Sequence, residues 1–315
     1  MRTSVLGRTK LQVSELCFGA LCMGPCQKKM DLESSAELVS AALRGGVNFI
    51  DTAQVYGTYA PIRLAVKRTG IRPVIASKSL ATGFTSMCKD VLFALYALRV
   101  IPIDIFLLHG ARACENVFEE RKGAWRCLRM LKAIGLIRAI GISTHSVKVT
   151  QLAATRDDVD IVFPLINLRG MGILHGTRED MEKAVRSCVK NGKGVYLMKA
   201  LAGGSLISRY VEAMNFARGI PGVQAIAVGM VSVDELRYNL DFFSGVSVAP
   251  PSIANTTPKA FFVSRGLCVG CGACAERCPN GAINMTGAYA NIDASKCLTC
   301  GYCVEVCKQF AIRMV

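Results

Sequence analysis

Eight of the fifteen cysteines fall in the last 48 residues, in two copies of one spacing. The first copy is Cys268-x-x-Cys271-x-x-Cys274-x-x-x-Cys278, followed by Pro279; the second is Cys297-x-x-Cys300-x-x-Cys303-x-x-x-Cys307, followed by Lys308. Three thiolates in one tight loop can take three corners of a cubane iron–sulfur cluster, and the fourth cysteine of each run then ligates the other cluster. Such crossing packs the two loops against each other. Zinc needs only four ligands and would leave half of these thiols unused. A disulfide scaffold needs an oxidising compartment, and the sequence opens without the basic-then-apolar pattern of a secretory leader.

Residues 264 to 315 resemble a bacterial two-cluster ferredoxin. The resemblance implies two [4Fe-4S] clusters and electron transfer. It also implies a well-reduced, anaerobic, cytoplasmic setting.

The rest of the chain is apolar for a globular protein, with 51% hydrophobic residues and a mean hydropathy of +0.35. No stretch approaches the roughly 18 unbroken apolar residues of a membrane helix. The longest candidate, Val91 to Leu108, is interrupted by Arg99, Pro102 and Asp104. Parallel strands buried on both faces account for the excess. The formal charge of +15 overstates that of a protein carrying two anionic clusters. The remaining basic surface suits an acidic redox partner, such as a ferredoxin, or a phosphorylated ligand. No basic run interleaved with aromatics points to nucleic acid.

Residues 1–245 alternate short apolar runs with helical patterns. The runs are Leu16–Ala20, Val47–Asp51, Val74–Lys78, Ile103–His109, Ala139–Ser143, Asp160–Leu165, Gly194–Lys199 and Gln224–Gly229. Helix candidates include Leu32–Arg44, Ser86–Leu98, Val117–Ala133, Glu179–Lys190 and Val233–Phe243. Eight strands, each followed by a helix, predict an α/β fold, the (β/α)8 TIM barrel. Alternation alone also allows an open doubly wound sheet, but no G-x-G-x-x-G follows the first strand. Ser4–Val13 reads as a hairpin that would plug the barrel bottom. The Pro-rich stretch 246–259 reads as a linker, so a small α+β unit occupies 260–315.

Polar residues stand where such a barrel keeps its active site, at strand C-termini. Asp51 ends the second strand, Lys78 the third and His109 the fourth, and Tyr56 follows Asp51 in the exit loop. The four suit protonation of a carbonyl oxygen. Lysine favours the phenolate of an otherwise weakly acidic tyrosine, aspartate compensates the lysine, and histidine orients the carbonyl. A buried Asp51–Lys78 ion pair beside a packed tyrosine is the structural alternative for each residue taken singly.

The segments "NFIDTAQVYG", "VIASK" and "IDIFLLHG", with "LGRTKLQVSELCFGA" at the hairpin and first strand, resemble the aldo-keto reductase superfamily. "GISTHS", "MKALAGG" and "VGMVSVDELRYNL" are similar to later motifs of its subgroup with an appended ferredoxin segment. The resemblance implies a catalytic tetrad at Asp51, Tyr56, Lys78 and His109 and a small carbonyl or alcohol substrate. It also implies an NADP or NAD cofactor touching Ser143, Lys199, Gly229, Ser232, Glu235 and Asn239.

The cofactor side departs from the family pattern. Thr144 stands for the expected Asn and Phe163 for the expected Gln, while the stacking tyrosine is replaced around Met198-Lys199. Val231 stands where an Arg would hold the 2′-phosphate, which removes a bidentate partner. Ser205 remains as a further phosphate contact. Cubanes pass single electrons whereas nicotinamide moves a hydride, so coupling them calls for a flavin or a similar group.

Two readings follow: an iron–sulfur oxidoreductase of this type, or an electron-transfer protein whose barrel has left nicotinamide chemistry. Cys22, Cys26 and Cys114 lie in top loops and can be read as a further metal or redox centre, or as free thiols in a reducing cell. His145 reads as a top-loop residue within reach of a ligand, and His175 as solvated.

Overall fold

The computed structural model describes residues 1–25, 27–111, 113–204, 206–246, 260–309 and 311–314. Strands β1 (Thr3–Val5) and β2 (Gln12–Ser14) form the expected antiparallel hairpin around a 3-10 turn at Gly7–Thr9. Leu6, Leu11 and Val13 of the hairpin are buried in the barrel interior. Gly7 lies so close to the seventh barrel strand that a Cβ there would stand 2.2 Å from the Gly194 nitrogen. The hairpin thus closes the N-terminal end of the barrel and leaves the opposite rim for chemistry.

Eight parallel strands form the closed barrel: β3 (Leu16–Gly19), β4 (Phe49–Asp51), β5 (Val74–Ser79), β6 (Ile103–Gly110), β7 (Ile137–Thr144), β8 (Ile161–Pro164), β9 (Gly194–Leu197) and β10 (Ala225–Gly229). Strand β10 pairs back onto β3 and closes the circle. Each expected apolar run holds one strand. Inward positions such as Cys17, Phe49, Leu107, Phe163 and Tyr196 fill the interior, while the alternate positions pack against the helices.

Around the strands lie α1 (Leu32–Arg44), α2 (Tyr59–Thr69), α3 (Phe84–Leu98), α4 (Val117–Glu120), α5 (Lys122–Ala133), α6 (Val147–Thr155), α7 (Arg178–Lys190), α8 (Tyr210–Arg218) and α9 (Val233–Phe243). Local signals set several of their ends: Asp31 caps α1, and Thr177 with Asp180 forms a capping box on α7. The expected helix Val117–Ala133 is instead broken at Arg121. There the guanidinium turns inward and donates to the carbonyls of Ser79, Ala81 and His109. That break pins the exits of β5 and β6.

The C-terminal segment is built twice over. Strands β11 (Phe261–Val263) and β14 (Ile312–Met314) pair antiparallel, as do β12 (Ile283–Thr286) and β13 (Tyr289–Ile292). Two one-turn helices, α10 (Ala273–Arg277) and α11 (Tyr302–Val306), each follow a glycine in the left-handed region, Gly272 and Gly301. The proposed linker falls, from residue 247 on, outside the described residues.

Candidate active site and cluster-binding loops

Because the strands are parallel, Asp51, Lys78 and His109 emerge at the same rim. The Lys78 Nζ donates to both Asp51 carboxylate oxygens, at 2.8 and 2.7 Å, and to the Thr52 carbonyl at 2.7 Å. A 3-10 turn at Gln54–Tyr56 brings the Tyr56 ring over that ammonium, 5.0 Å from Nζ to the centroid. The same ring meets His109 edge-on at 5.8 Å. Tyr196, which sequence reasoning passed over, donates its hydroxyl to Asp51 Oδ1 at 2.9 Å. Its signal was its inward register on β9. All five side chains are buried.

Burial sets the protonation of this group. It pushes Asp51 up and Lys78 down, and each partner's charge opposes the shift of the other. Tyr56 is raised well above the usual phenol range, first by burial and then by Tyr302 and Asp51. His109 is pushed well below the usual imidazole range by burial, then by the Lys78 and Arg121 charges. The site therefore presents a protonated phenol beside a neutral imidazole. Such a pair can donate hydrogen bonds to an oxygen and transfer one proton to it.

The second cysteine loop sits on this rim. The Tyr302 hydroxyl lies 2.9 Å from His109 Nε2 and 3.4 Å from the Tyr56 hydroxyl. Ala53, Tyr56, Cys300 and Tyr302 form one buried cluster. Leu298, 1% exposed, enters a second cluster with Leu165, Ala202, Leu206 and Ala213. Backbone fit is tight: a Cβ on Gly203, whose φ is +68°, would stand 1.8 Å from the Leu298 carbonyl oxygen. Gln27 Nε2 donates to the Thr299 carbonyl at 2.7 Å, and the Thr299 hydroxyl donates to the Gly203 carbonyl.

The eight cysteines line two pockets. Cys268, Cys271, Cys274 and Cys307 line one cavity of about 270 Å³. Cys278, Cys297, Cys300 and Cys303 line a second pocket. Each fourth cysteine has thus crossed to the other run. Its sulfur accepts a backbone N–H four residues on, Ala282 to Cys278 at 3.3 Å and Ala311 to Cys307 at 3.2 Å. A single metal ion fits poorly, since among the described residues no three His, Cys, Asp or Glu converge on one point. Four thiols around a cavity suit a bulkier cluster, so these residues fit two cubanes.

Of the expected cofactor contacts, Ser232, Glu235 and Asn239 lie together on the first turns of α9. Ser232 caps α9 by accepting from the Glu235 N–H, and the Glu235 carboxylate accepts from the Val231 N–H at 2.7 Å. Asn239 is buried, accepting from the Tyr210 hydroxyl and donating to the Glu235 carbonyl, both at 2.7 Å. Ser143 is buried and its hydroxyl makes a long 3.4 Å contact to the Leu108 carbonyl. Gly229 ends β10, and a Cβ there would meet the Cys22 sulfur at 2.1 Å. Lys199 follows β9 and its charge acts on Cys297 and His145. Ser205 and Cys26 lie outside the described residues, while Cys114 is exposed.

Phe163, in place of an amide, stacks on Tyr196 at 3.8 Å. His145 is buried against Asn280, not open to a ligand, and burial holds it at about 3. His175 is exposed and its Nδ1 lies 2.8 Å from the Ser146 hydroxyl oxygen.

Comparison with known proteins places the fold. The family model described as the aldo/keto reductase family matches residues 15–225. The chain belongs to that family. A second model, a 4Fe-4S dicluster domain, matches residues 261–308. An aldo-keto reductase of Mycolicibacterium vanbaalenii is 32% identical over 110 residues, 33% of this chain and 38% of that protein. The first curated relatives are matched over only 38% to 41% of their length.

Solved structures are similar over more of the chain. An aldo-keto reductase of Pseudomonas aeruginosa superposes with a TM-score of 0.67 at 24% identity, covering 77% of this chain and 95% of that one. One from Klebsiella pneumoniae, in complex with NADPH, gives a TM-score of 0.60 at 20% identity, covering 79% and 92%. These likenesses concern the barrel fold.

Proposed function

We propose that this chain is an iron–sulfur oxidoreductase acting on a small carbonyl or alcohol at Asp51, Tyr56, Lys78 and His109. The observation that carries this reading is the Lys78 ammonium, held by Asp51 and lying against the Tyr56 ring. Tyr56 would give its proton to the carbonyl oxygen while the carbon takes a hydride from a bound two-electron donor, and would take the proton back when an alcohol returns that hydride to the oxidised carrier. Lys78 stabilises the phenolate left behind, and Asp51 with Tyr196 keeps the lysine in place. His109, neutral, orients the oxygen.

Cys268, Cys271, Cys274 and Cys307 would hold one [4Fe-4S] cluster, and Cys278, Cys297, Cys300 and Cys303 the other. When bound, such clusters supply one-electron transfer, with an acidic protein as the natural exchange partner for a basic chain. A nicotinamide, as in the Klebsiella relative, is the two-electron carrier that family membership suggests. The residues here fit it poorly: Phe163 offers no amide, Thr144 Oγ1 already accepts from the Ser146 N–H, and α9 uses Ser232, Glu235 and Asn239 internally.

Tyr56→Phe tests the tetrad. In anaerobic assays with a small aldehyde, supplied with NADPH or with chemically reduced protein, kcat/KM should fall by about 10²- to 10⁴-fold. Unchanged reduction removes Tyr56 from the chemistry.

One observation favours a second reading, an electron-transfer protein in which the barrel is a docking platform. The rim that would receive substrate is covered by the second cysteine loop. Electron exchange with a ferredoxin, without turnover of any carbonyl, would support that reading.

A further inference from the structure

Tyr302 stands where a substrate oxygen would have to stand. An oxygen that takes a proton from Tyr56 while accepting orientation from His109 must lie within hydrogen-bond reach of both. The Tyr302 hydroxyl already holds that position, at 3.4 Å from the Tyr56 hydroxyl and 2.9 Å from His109 Nε2. Tyr302 is 8% exposed, and the Arg277 guanidinium lies 5.6 Å from its ring centre. We propose that Tyr302 is an internal occupant of the carbonyl-oxygen site, so that a carbonyl ligand binds only by displacing the second cysteine loop from the barrel rim. This rests on the tetrad reading above, but it concerns binding and not turnover.

The surroundings show a built fit, beyond a chance approach of one side chain. Leu298, four residues earlier, is seated in a pocket of barrel residues. The Gly203 backbone touches the Leu298 carbonyl where no Cβ could fit. The loop is tied down by Gln27, which donates to the Thr299 carbonyl, and by the Thr299 hydroxyl, which donates to the Gly203 carbonyl. Tyr302 is thereby aimed at the two groups that would otherwise polarise a substrate. Lifting the loop would free both at once and open a path from the rim. The occupant is a phenol on the same one-turn helix as Cys303, so a carbonyl ligand and the second cysteine set compete for one segment of chain.

The test uses a carbonyl that cannot be reduced. Benzamide offers an oxygen to Tyr56 and His109 but accepts no hydride, so its binding is read without turnover, by calorimetry on full-length, iron-loaded protein under anaerobic conditions. Tyr302→Ala should bind benzamide at least about tenfold more tightly than the natural chain, the equivalent of one net hydrogen bond no longer to be displaced. Equal or weaker binding overturns the proposal. Should Tyr302→Ala fail to retain its iron, Gly203→Ala decides instead. That variant leaves the tetrad and Tyr302 intact but forces Leu298 from its seat, and it should also tighten binding, while unchanged affinity overturns the proposal. The Tyr56→Phe assay fails separately: loss of the tetrad's catalytic role would leave the benzamide result standing as evidence of occupancy.

Discussion

The two cysteine loops share a backbone and differ in what their side chains meet. Gly270 and Thr299 occupy matching places and both have positive φ, 68° and 47°; Gly272 and Gly301, at 75° and 83°, precede matching one-turn helices. At the next pair of places, Val269 is 65% exposed whereas Leu298 is 1% exposed. The position of Ala273 in the first loop is held by Tyr302 in the second. Asn280, after the first run, meets buried His145, while Gln309, after the second, is exposed. A repeated cysteine spacing has thus put one copy against the barrel and left the other facing outward. Thr299 accepts a backbone conformation that suits glycine, and its hydroxyl bond to Gly203 offsets the strain. The outer loop leaves Leu267 and Val269 exposed beside its cysteines.

The largest test of this contrast is truncation of the matched apolar residues. Leu298→Ala should destabilise the iron-loaded protein by about 2–5 kcal/mol, because a filled pocket is left empty. Val269→Ala should stay within about 0.5 kcal/mol. Denaturant unfolding under anaerobic conditions reads both, and equal effects would erase the distinction between the loops.

A smaller effect should appear in acid. Burial pushes His145 down to about 3 in the folded chain, against an ordinary value of about 6.5 when unfolded. Between those values the unfolded state binds the extra proton, so stability falls as pH drops through that window. His145 alone should contribute a slope close to one proton, about 1.4 kcal/mol per pH unit, on top of that from buried His109. In His145→Gln the slope over pH 4–6, read from unfolding curves, should shrink by about that one proton. Gln309→Ala, on the outer side, should leave it unchanged.

Much of this architecture is readable from the residues. The strand-end positions of Asp51, Lys78 and His109 follow from period and length, since parallel strands in a closed barrel share one rim. The crossing of Cys278 and Cys307 follows from spacing. The cap on α9 explains why Ser232 and Glu235 resemble ligand contacts: a Ser-x-x-Glu pattern serves a helix N-terminus equally well. What spacing does not reveal is how one unit sits on another, because docking depends on shape across residues far apart in sequence. A signal was nonetheless present. Within two runs of identical cysteine spacing, Leu298 and Tyr302 stand where the first has Val269 and Ala273, and a large aromatic inside a cluster loop needs a neighbour for its hydroxyl.

The central claim is that the Tyr302 hydroxyl is hydrogen-bonded to His109 across the two units. A double-mutant cycle on anaerobic unfolding free energies, with Tyr302→Phe and His109→Leu singly and together, measures that contact. The losses should be less than additive by about 1 kcal/mol, since each single change strands the partner left behind. Losses that add within about 0.3 kcal/mol would contradict the account and place the second cysteine loop away from the barrel rim that carries His109.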